Sequence, residues 1–230
     1  MNTVLTGGSS GLGKELLQPL TAFGSVYNLD RVNGYNVRSG YDVERFFSRL
    51  TEPVDLCINC AGENYLEWIE NFDPVDFNDV MHTNCTGILN TATAMCKFGN
   101  KNGSTILNIL SSAATNPMRT SIAYCASKAA AAMMTRVMAR ELFDKHKIVT
   151  FGVSPGKIFN TSMSRMVDAE TPRLRGWTTE QYDAYNLRRQ GSGKELNVHD
   201  VANFILNLLY RKCDAYNGII FPYGAEGDVR

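Results

Sequence analysis

Thr6-Gly7-Gly8-Ser9-Ser10-Gly11-Leu12-Gly13 follows a short β-like run, Val4–Thr6, and opens a helix-like stretch, Leu12–Phe23. Glycines at such a junction let the backbone turn tightly and come close to a pyrophosphate. The free N–H groups and positive dipole end of the helix then favour the anion. The spacing is not the common GxGxxG. A rival reading takes Gly8 to Lys14 as the start of a P-loop, but the next residue is Glu15. A Ser or Thr is needed there to hold Mg²⁺, and a carboxylate so near the phosphates would repel them. The turn therefore points to a dinucleotide rather than a nucleoside triphosphate.

Working outward, strand-like and helix-like runs alternate. Ser25–Asp30 reads as a strand, Asn36-Val37 as a very short third one, Asp42–Leu50 as a helix and Val54–Asn59 as a strand. Phe77–Cys96 is helical, Ser104–Leu110 strongly β, Ile122–Phe143 a long helix, Ile148–Val153 a strand, Val198–Tyr210 a helix and Gly218–Pro222 the last strand. Pro19 should bend or shorten the first helix. The alternation predicts an α/β, doubly wound Rossmann fold: a parallel sheet of about seven strands with helices on both faces. The 230 residues suit one such domain spanning 1–230.

Thr161–Asn197 breaks the pattern: 37 residues with little periodic apolar signal, carrying Trp177, Tyr182 and Tyr185. A connection this long is expected to be a substrate lid. Its six basic and five acidic residues single out no phosphorylated or carrier-bound substrate.

Lys plus Arg and Asp plus Glu are 23 each, so the formal net charge is zero. That argues against a nucleic-acid protein and against an acidic solvating tail. There is no run of about 18 apolar residues, so no membrane span is expected. The glycine motif begins six residues into the sequence, leaving no room for a signal peptide, and the expected compartment is the cytoplasm. The six cysteines, Cys57, Cys60, Cys85, Cys96, Cys125 and Cys213, fit that setting. Cys57 and Cys60 form a CxxC, but no second pair follows, and buried free thiols are the better reading. His82, His146 and His199 are scattered singly, and no metal site is expected.

The second strand ends at Asp30, 17 residues after Gly13. An acidic residue at about that distance accepts hydrogen bonds from the adenine ribose and repels a 2′-phosphate. NAD(H) is favoured on that ground, with NADP(H) possible through Arg31 or Lys14.

Tyr124 and Lys128 are four apart on the predicted helix Ile122–Phe143 and project from one face. A free Tyr, with a pKa of about 10, is a poor acid–base group at neutral pH, and a neighbouring ammonium lowers it. Ser111-Ser112 and Asn59-Cys60-Ala61-Gly62 each stand at the end of a predicted strand, where a doubly wound sheet meets its ligand.

Taken together, these motifs resemble the short-chain dehydrogenase/reductase family over nearly the whole chain. Thr6–Gly13 resembles its TGxxxGxG, Asn59–Gly62 its NNAG with Cys for the second Asn, and Tyr124-Cys125-Ala126-Ser127-Lys128 its YxASK. Pro155-Gly156 with Ile158 and Thr161 resembles the stretch after the sixth strand, with one extra residue before the Thr.

The resemblance implies an NAD(P)-dependent oxidoreductase interconverting an alcohol and a ketone, with Asn84, Ser111, Tyr124 and Lys128 catalytic. Ser111 is 13 residues before Tyr124 and three after Asn108, with Ser112 the runner-up. Tyr124 would exchange a proton with the substrate oxygen and Ser111 would bond that oxygen. Lys128 would bond the nicotinamide ribose, and Asn84 would hold a water beside it. Gly7, Ser9, Ser10, Gly11, Leu12, Gly13, Asp30, Asn36, Asn59, Ala61, Gly62, Pro155, Gly156, Ile158 and Thr161 would contact the cofactor, with Tyr124 and Lys128.

The substrate stays open between a 3-oxoacyl thioester and a small alcohol or ketone. Met118, Arg119, Trp177, Tyr182 and Tyr185 are candidate wall residues. Relatives pair two long helices between subunits, so a homotetramer or homodimer is expected. The alternative is a non-catalytic dinucleotide sensor with the same fold.

Overall fold

The computed structural model describes residues 1–189, 196–211 and 214–224. Among these, six parallel strands form one sheet: β1 Thr3–Thr6, β2 Val26–Leu29, β3 Leu56–Asn59, β4 Ser104–Ile109, β5 Ile148–Pro155 and β6 Ile220–Tyr223. Their order is β2-β1-β3-β4-β5-β6. The helices are α1 Gly11–Leu20, α2 Gly40–Phe47, α3 Pro74–Met81, α4 Gly87–Phe98, α5 Ile122–His146, α6 Ser162–Arg175, α7 Thr179–Arg189 and α8 Val198–Tyr210. The doubly wound α/β fold expected from the sequence is what forms.

Side chains alternate across the sheet, and successive residues enter different cores. Val4, Cys57 and Ile106 pack with Val43, Phe47, Ile88, Met95 and Ala131 against α2, α4 and α5. Their neighbours Leu5, Ile58 and Leu107 pack with Leu16, Leu20, Val201 and Ile205 against α1 and α8. Each fully buried large side chain, such as Leu16 or Phe47, contributes roughly 1.5–3 kcal/mol. This double cover is why β1, β3 and β4 are buried along their whole length.

The chain winds from β1 outward to β2, then crosses back to place β3 on the other side of β1. The carboxyl ends Thr6 and Asn59 lie in register there. A crevice opens at such a switch point.

Three local expectations are refined. Asn36-Val37 is a turn, not a strand. The Asn36 side chain accepts from Arg38 N–H at 3.1 Å, and Asn90 Nδ2 donates to the Val37 carbonyl at 2.8 Å. Those side-chain bonds take the place of a ladder, so the sheet ends at β2. The helix expected over Phe77–Cys96 is interrupted by a π-helical turn at His82–Thr86, between α3 and α4. Pro19 lies in the last turn of α1, which tightens into a 3₁₀ turn at Thr21–Phe23.

Thr161–Asn197 is largely helical: α6 and α7 fill most of its described part. Thr161 starts α6 with a reciprocal cap, its Oγ1 accepting from Ser164 N–H at 3.0 Å and its own N–H donating to Ser164 Oγ at 2.9 Å. Lys194 and Glu195 of that segment, and Cys213, lie outside the described residues.

Candidate active site

The carboxyl ends of the strands and α6 enclose a cavity of about 540 Å³, inside the range usual for cofactor and substrate sites. One end is walled by Gly7, Ser10, Gly11, Leu12, Asp30, Arg31 and Asn36, and the middle by Ala61, Gly62, Pro155, Gly156 and Ile158. Ser111, Tyr124 and Lys128 line the same cavity, as do Thr161 and residues of α6, Thr161 lying 3.5 Å from where a Cβ on Gly11 would stand.

The glycine turn is built by close approach. Gly7 adopts φ +72°, and a Cβ on it would fall 2.7 Å from the Ala61 Cα. A Cβ on Gly13 would fall 2.2 Å from the Gly7 carbonyl oxygen. Thr6 Oγ1 accepts from the N–H groups of Cys60 and Ala61 at 3.1 and 3.0 Å, pinning the second loop to the first. From β2, Asn28 Oδ1 accepts from Gly8 N–H at 3.0 Å, and Asp30 Oδ2 from Ser9 N–H at 3.1 Å. Lys14 is exposed and off the cavity wall, so the P-loop reading loses its lysine.

Arg38, Glu63 and Thr83 join this end although no sequence motif marks them. The Glu63 carboxylate pairs with Arg38, lies 3.7 Å from an Arg31 nitrogen and accepts from Thr83 Oγ1 at 2.9 Å. Arg38 also pairs with Asp79 at 3.0 Å. The only available signal was Glu63's place directly after Asn59–Gly62, since its partners come from distant loops.

Tyr124 and Lys128 extend from α5 to one wall, with the ammonium 5.7 Å from the Tyr ring centroid. Tyr124 stands close enough to the Ser111 hydroxyl for it to lower the phenol; Ser111 caps a 3₁₀ turn, its Oγ accepting from Ala113 N–H at 3.1 Å. Ser112 is buried beside it. Burial pushes the Tyr124 phenol above its usual value, the Ser111 hydroxyl pulls it partly back, and Cys125 adds to the rise. Here desolvation outweighs the lowering expected from a nearby ammonium. Burial drops Lys128 from 10.5 to about 8, opposed in part by Cys60 and Cys85. Its Nζ donates to the Ile109 carbonyl at 2.9 Å.

Asn84 sits in the π turn, buried, with its amide spent on protein. Its Oδ1 accepts from Glu63 N–H at 2.8 Å. Its Nδ2 donates to the Glu63 carbonyl and Ser127 Oγ, both at 2.9 Å. Asn59 is likewise buried, bonded to Asn108 and Thr91 at 2.8 Å each. Asn59, Asn84 and Gly13 thus lie buried off the cavity wall and support it from behind, and Ser9 lies off it on the exposed side of the glycine turn.

Cys57 and Cys60 are free thiols, both pushed up to about 12 by burial. Of the expected wall residues, Met118, Tyr182 and Tyr185 line the cavity, whereas Trp177 packs behind Arg175. Arg119 turns its carbonyl to Arg175. Arg175 and Lys157 also line the cavity, and neither carries a sequence signature.

A dinucleotide fits these residues. The cavity runs from Asp30, past a helix N-terminus with Gly11 at φ +49°, to Tyr124 and Lys128.

The sequence model for the short chain dehydrogenase family matches residues 30–172. The chain is 24% identical over 220 residues to 5-keto-D-gluconate 5-reductase of Escherichia coli, covering 85% of this chain and 84% of that protein. It is 31% identical over 168 residues to D-erythrulose reductase of Gallus gallus, covering 70% and 61% respectively. Among solved structures, actinorhodin polyketide ketoreductase with NADPH superposes with TM-score 0.85 at 22% identity, over 97% of this chain and 95% of that one. Levodione reductase superposes at 0.83 with 20% identity and the same coverage. No helix among the described residues is long and apolar enough to cross a membrane.

Proposed function

From its place in the short chain dehydrogenase family, to which this chain belongs and whose activity is NAD(P)-dependent oxidoreduction of CH–OH and C=O groups, we propose that it reduces small ketones, or oxidises the matching alcohols. The observation that carries this is the convergence of Ser111, Tyr124 and Lys128 on one wall of a cavity that begins at the glycine turn. When bound, the nicotinamide supplies or accepts the hydride.

The chain's own groups handle the proton and the charge. Tyr124, kept protonated by burial, gives its proton to a carbonyl oxygen as charge develops there, or takes it from an alcohol. Ser111, whose hydroxyl stands beside Tyr124, holds the same oxygen in line. Lys128, held off full basicity, leaves the Ile109 carbonyl for a ribose hydroxyl and favours the phenolate as it forms. Asn84 acts through others: its amide fixes the Glu63 backbone beside Lys128 and so sets the wall. The relatives named for keto-gluconate and erythrulose support a small polyhydroxy ketone over a 3-oxoacyl thioester.

NAD(H) is the proposed preference. Asp30 places a carboxylate at the adenosine end, and Arg31 and Arg38, the cations that could hold a 2′-phosphate, already face Glu63. Residues 161–197 form the proposed lid of one domain. A homodimer or homotetramer is proposed through the exposed apolar residues Leu89 on α4 and Met133 and Val137 on α5. The free thiols fit a cytoplasmic setting. The test is turnover of a ketone and alcohol panel with NADH and NADPH. NADH binding without turnover across the panel, unaltered by Tyr124→Phe, would instead fit the sensor.

A further inference from the structure

We propose that Arg175 anchors a carboxylate on the substrate, so that the site selects carboxylated keto or hydroxy compounds. This rests on the reading of the cavity as a ketone reductase site.

Arg175 ends α6 and lines the same cavity as Tyr124 and Ser111. Its guanidinium packs against a pair of rings that touch edge to face at 5.0 Å, 4.8 Å from the Trp177 centroid and 5.0 Å from that of Tyr185. One terminal nitrogen donates to the Arg119 carbonyl. The ring contacts and that bond restrain the fork before any ligand arrives, which reduces the ordering cost of binding. The Nε–H is buried and has no hydrogen-bond partner. No carboxylate pairs with Arg175 among the described residues.

A buried donor on a cation is costly when unmet, and a carboxylate is the acceptor whose geometry matches a guanidinium. The other cation on the lid side, Lys157, is neutralised by Asp168, which also accepts from the Tyr182 hydroxyl at 2.7 Å. Among the described residues, Arg175 is therefore the positive charge on this part of the wall that no carboxylate meets. With a chain of zero net charge, an anionic substrate must be held locally, by a group of this kind.

The test compares 5-keto-D-gluconate with L-sorbose, the same skeleton bearing CH₂OH in place of the carboxylate, each at saturating NADH. The wild-type ratio of kcat/KM should favour the carboxylate by about 10–100-fold, the value of a charge-assisted pair. Arg175→Met should bring the ratio within about threefold of unity and Arg175→Lys should fall between. A ratio is used because a general loss of fold affects both substrates alike. A wild-type ratio near one, or a ratio that survives Arg175→Met, overturns the proposal. Tryptophan fluorescence of the NADH complex titrated with D-gluconate reads the subsite without turnover, since Trp177 packs against Arg175. Saturable quenching, lost in Arg175→Met, together with no reduction of either ketone, would sink the reductase reading and keep the carboxylate site. Reduction without carboxylate preference would do the reverse.

Discussion

Replacing Lys128 by Met should change how the cofactor-free protein responds to pH. Lys128 is only 5% exposed, and burial lowers it from 10.5 to about 8. The folded chain thus binds this proton less tightly than the unfolded chain. Below about pH 8 both states carry it and the fold bears the full penalty, about 3 kcal/mol for a shift of this size. As pH rises toward 10.5 the folded lysine loses its proton first and the penalty is relieved. Integrating the linkage relation, about 2 kcal/mol is recovered between about pH 7 and 9.5. Loss of the 2.9 Å bond to the Ile109 carbonyl in Lys128→Met adds an offset of about 1 kcal/mol that does not vary with pH in this window.

The assay is urea unfolding of wild type and Lys128→Met without cofactor, at constant ionic strength, from about pH 7 to 9.5. The wild-type minus variant stability should rise with pH by about 2 kcal/mol. Tyr124 and Cys60 are shifted upward and hold their protons across this window, and the difference cancels groups common to both proteins. A flat difference, or one that falls with pH, refutes the claim that an ammonium is buried at this wall.

Other consequences can be checked by simpler means. Gly13→Ala drives a Cβ into backbone at 2.2 Å; it should lose about 3 kcal/mol in urea unfolding and weaken NADH binding in step. Ser111→Ala should lower kcat by about 100-fold and Ser112→Ala by only a few-fold, because Ser111 is the partner of Tyr124; the opposite order would move the role to Ser112. Asp30→Ala should raise the kcat/KM for NADPH relative to NADH by about tenfold or more; an unchanged ratio would remove Asp30 from cofactor choice.

The legible parts were those where one residue does one local job. Val4 and Leu5, or Ile106 and Leu107, announce a doubly covered strand by being apolar in succession. The glycines at 7 and 13 announce a close approach that no side chain tolerates. Tyr124 and Lys128 share a helix, so spacing alone sets them side by side. What stayed hidden depends on partners far apart in the chain. Arg38 and Glu63 meet only after β2 and β3 have been placed on opposite sides of β1. The π turn around Asn84 leaves no mark in residue pattern, because the extra residue is absorbed by the backbone. Asn36-Val37 has strand-like character, but Asn36, Asn90 and the Ser39 cap of α2 offer the backbone better bonds than a ladder. The helices of residues 162–189 were missed because α6 and α7 face a cavity and solvent rather than a core, so their apolar period is weak.

The most direct test of the central claim is transfer of deuterium from NADH deuterated at both C4 positions to a ketone, in a single turnover, by wild type and Tyr124→Phe. Wild type should deliver the label to the carbinol carbon. The variant should bind NADH with a Kd within a few-fold of wild type yet transfer label about 1,000-fold more slowly. Transfer at the wild-type rate without the Tyr124 hydroxyl, or product free of label, would contradict the account.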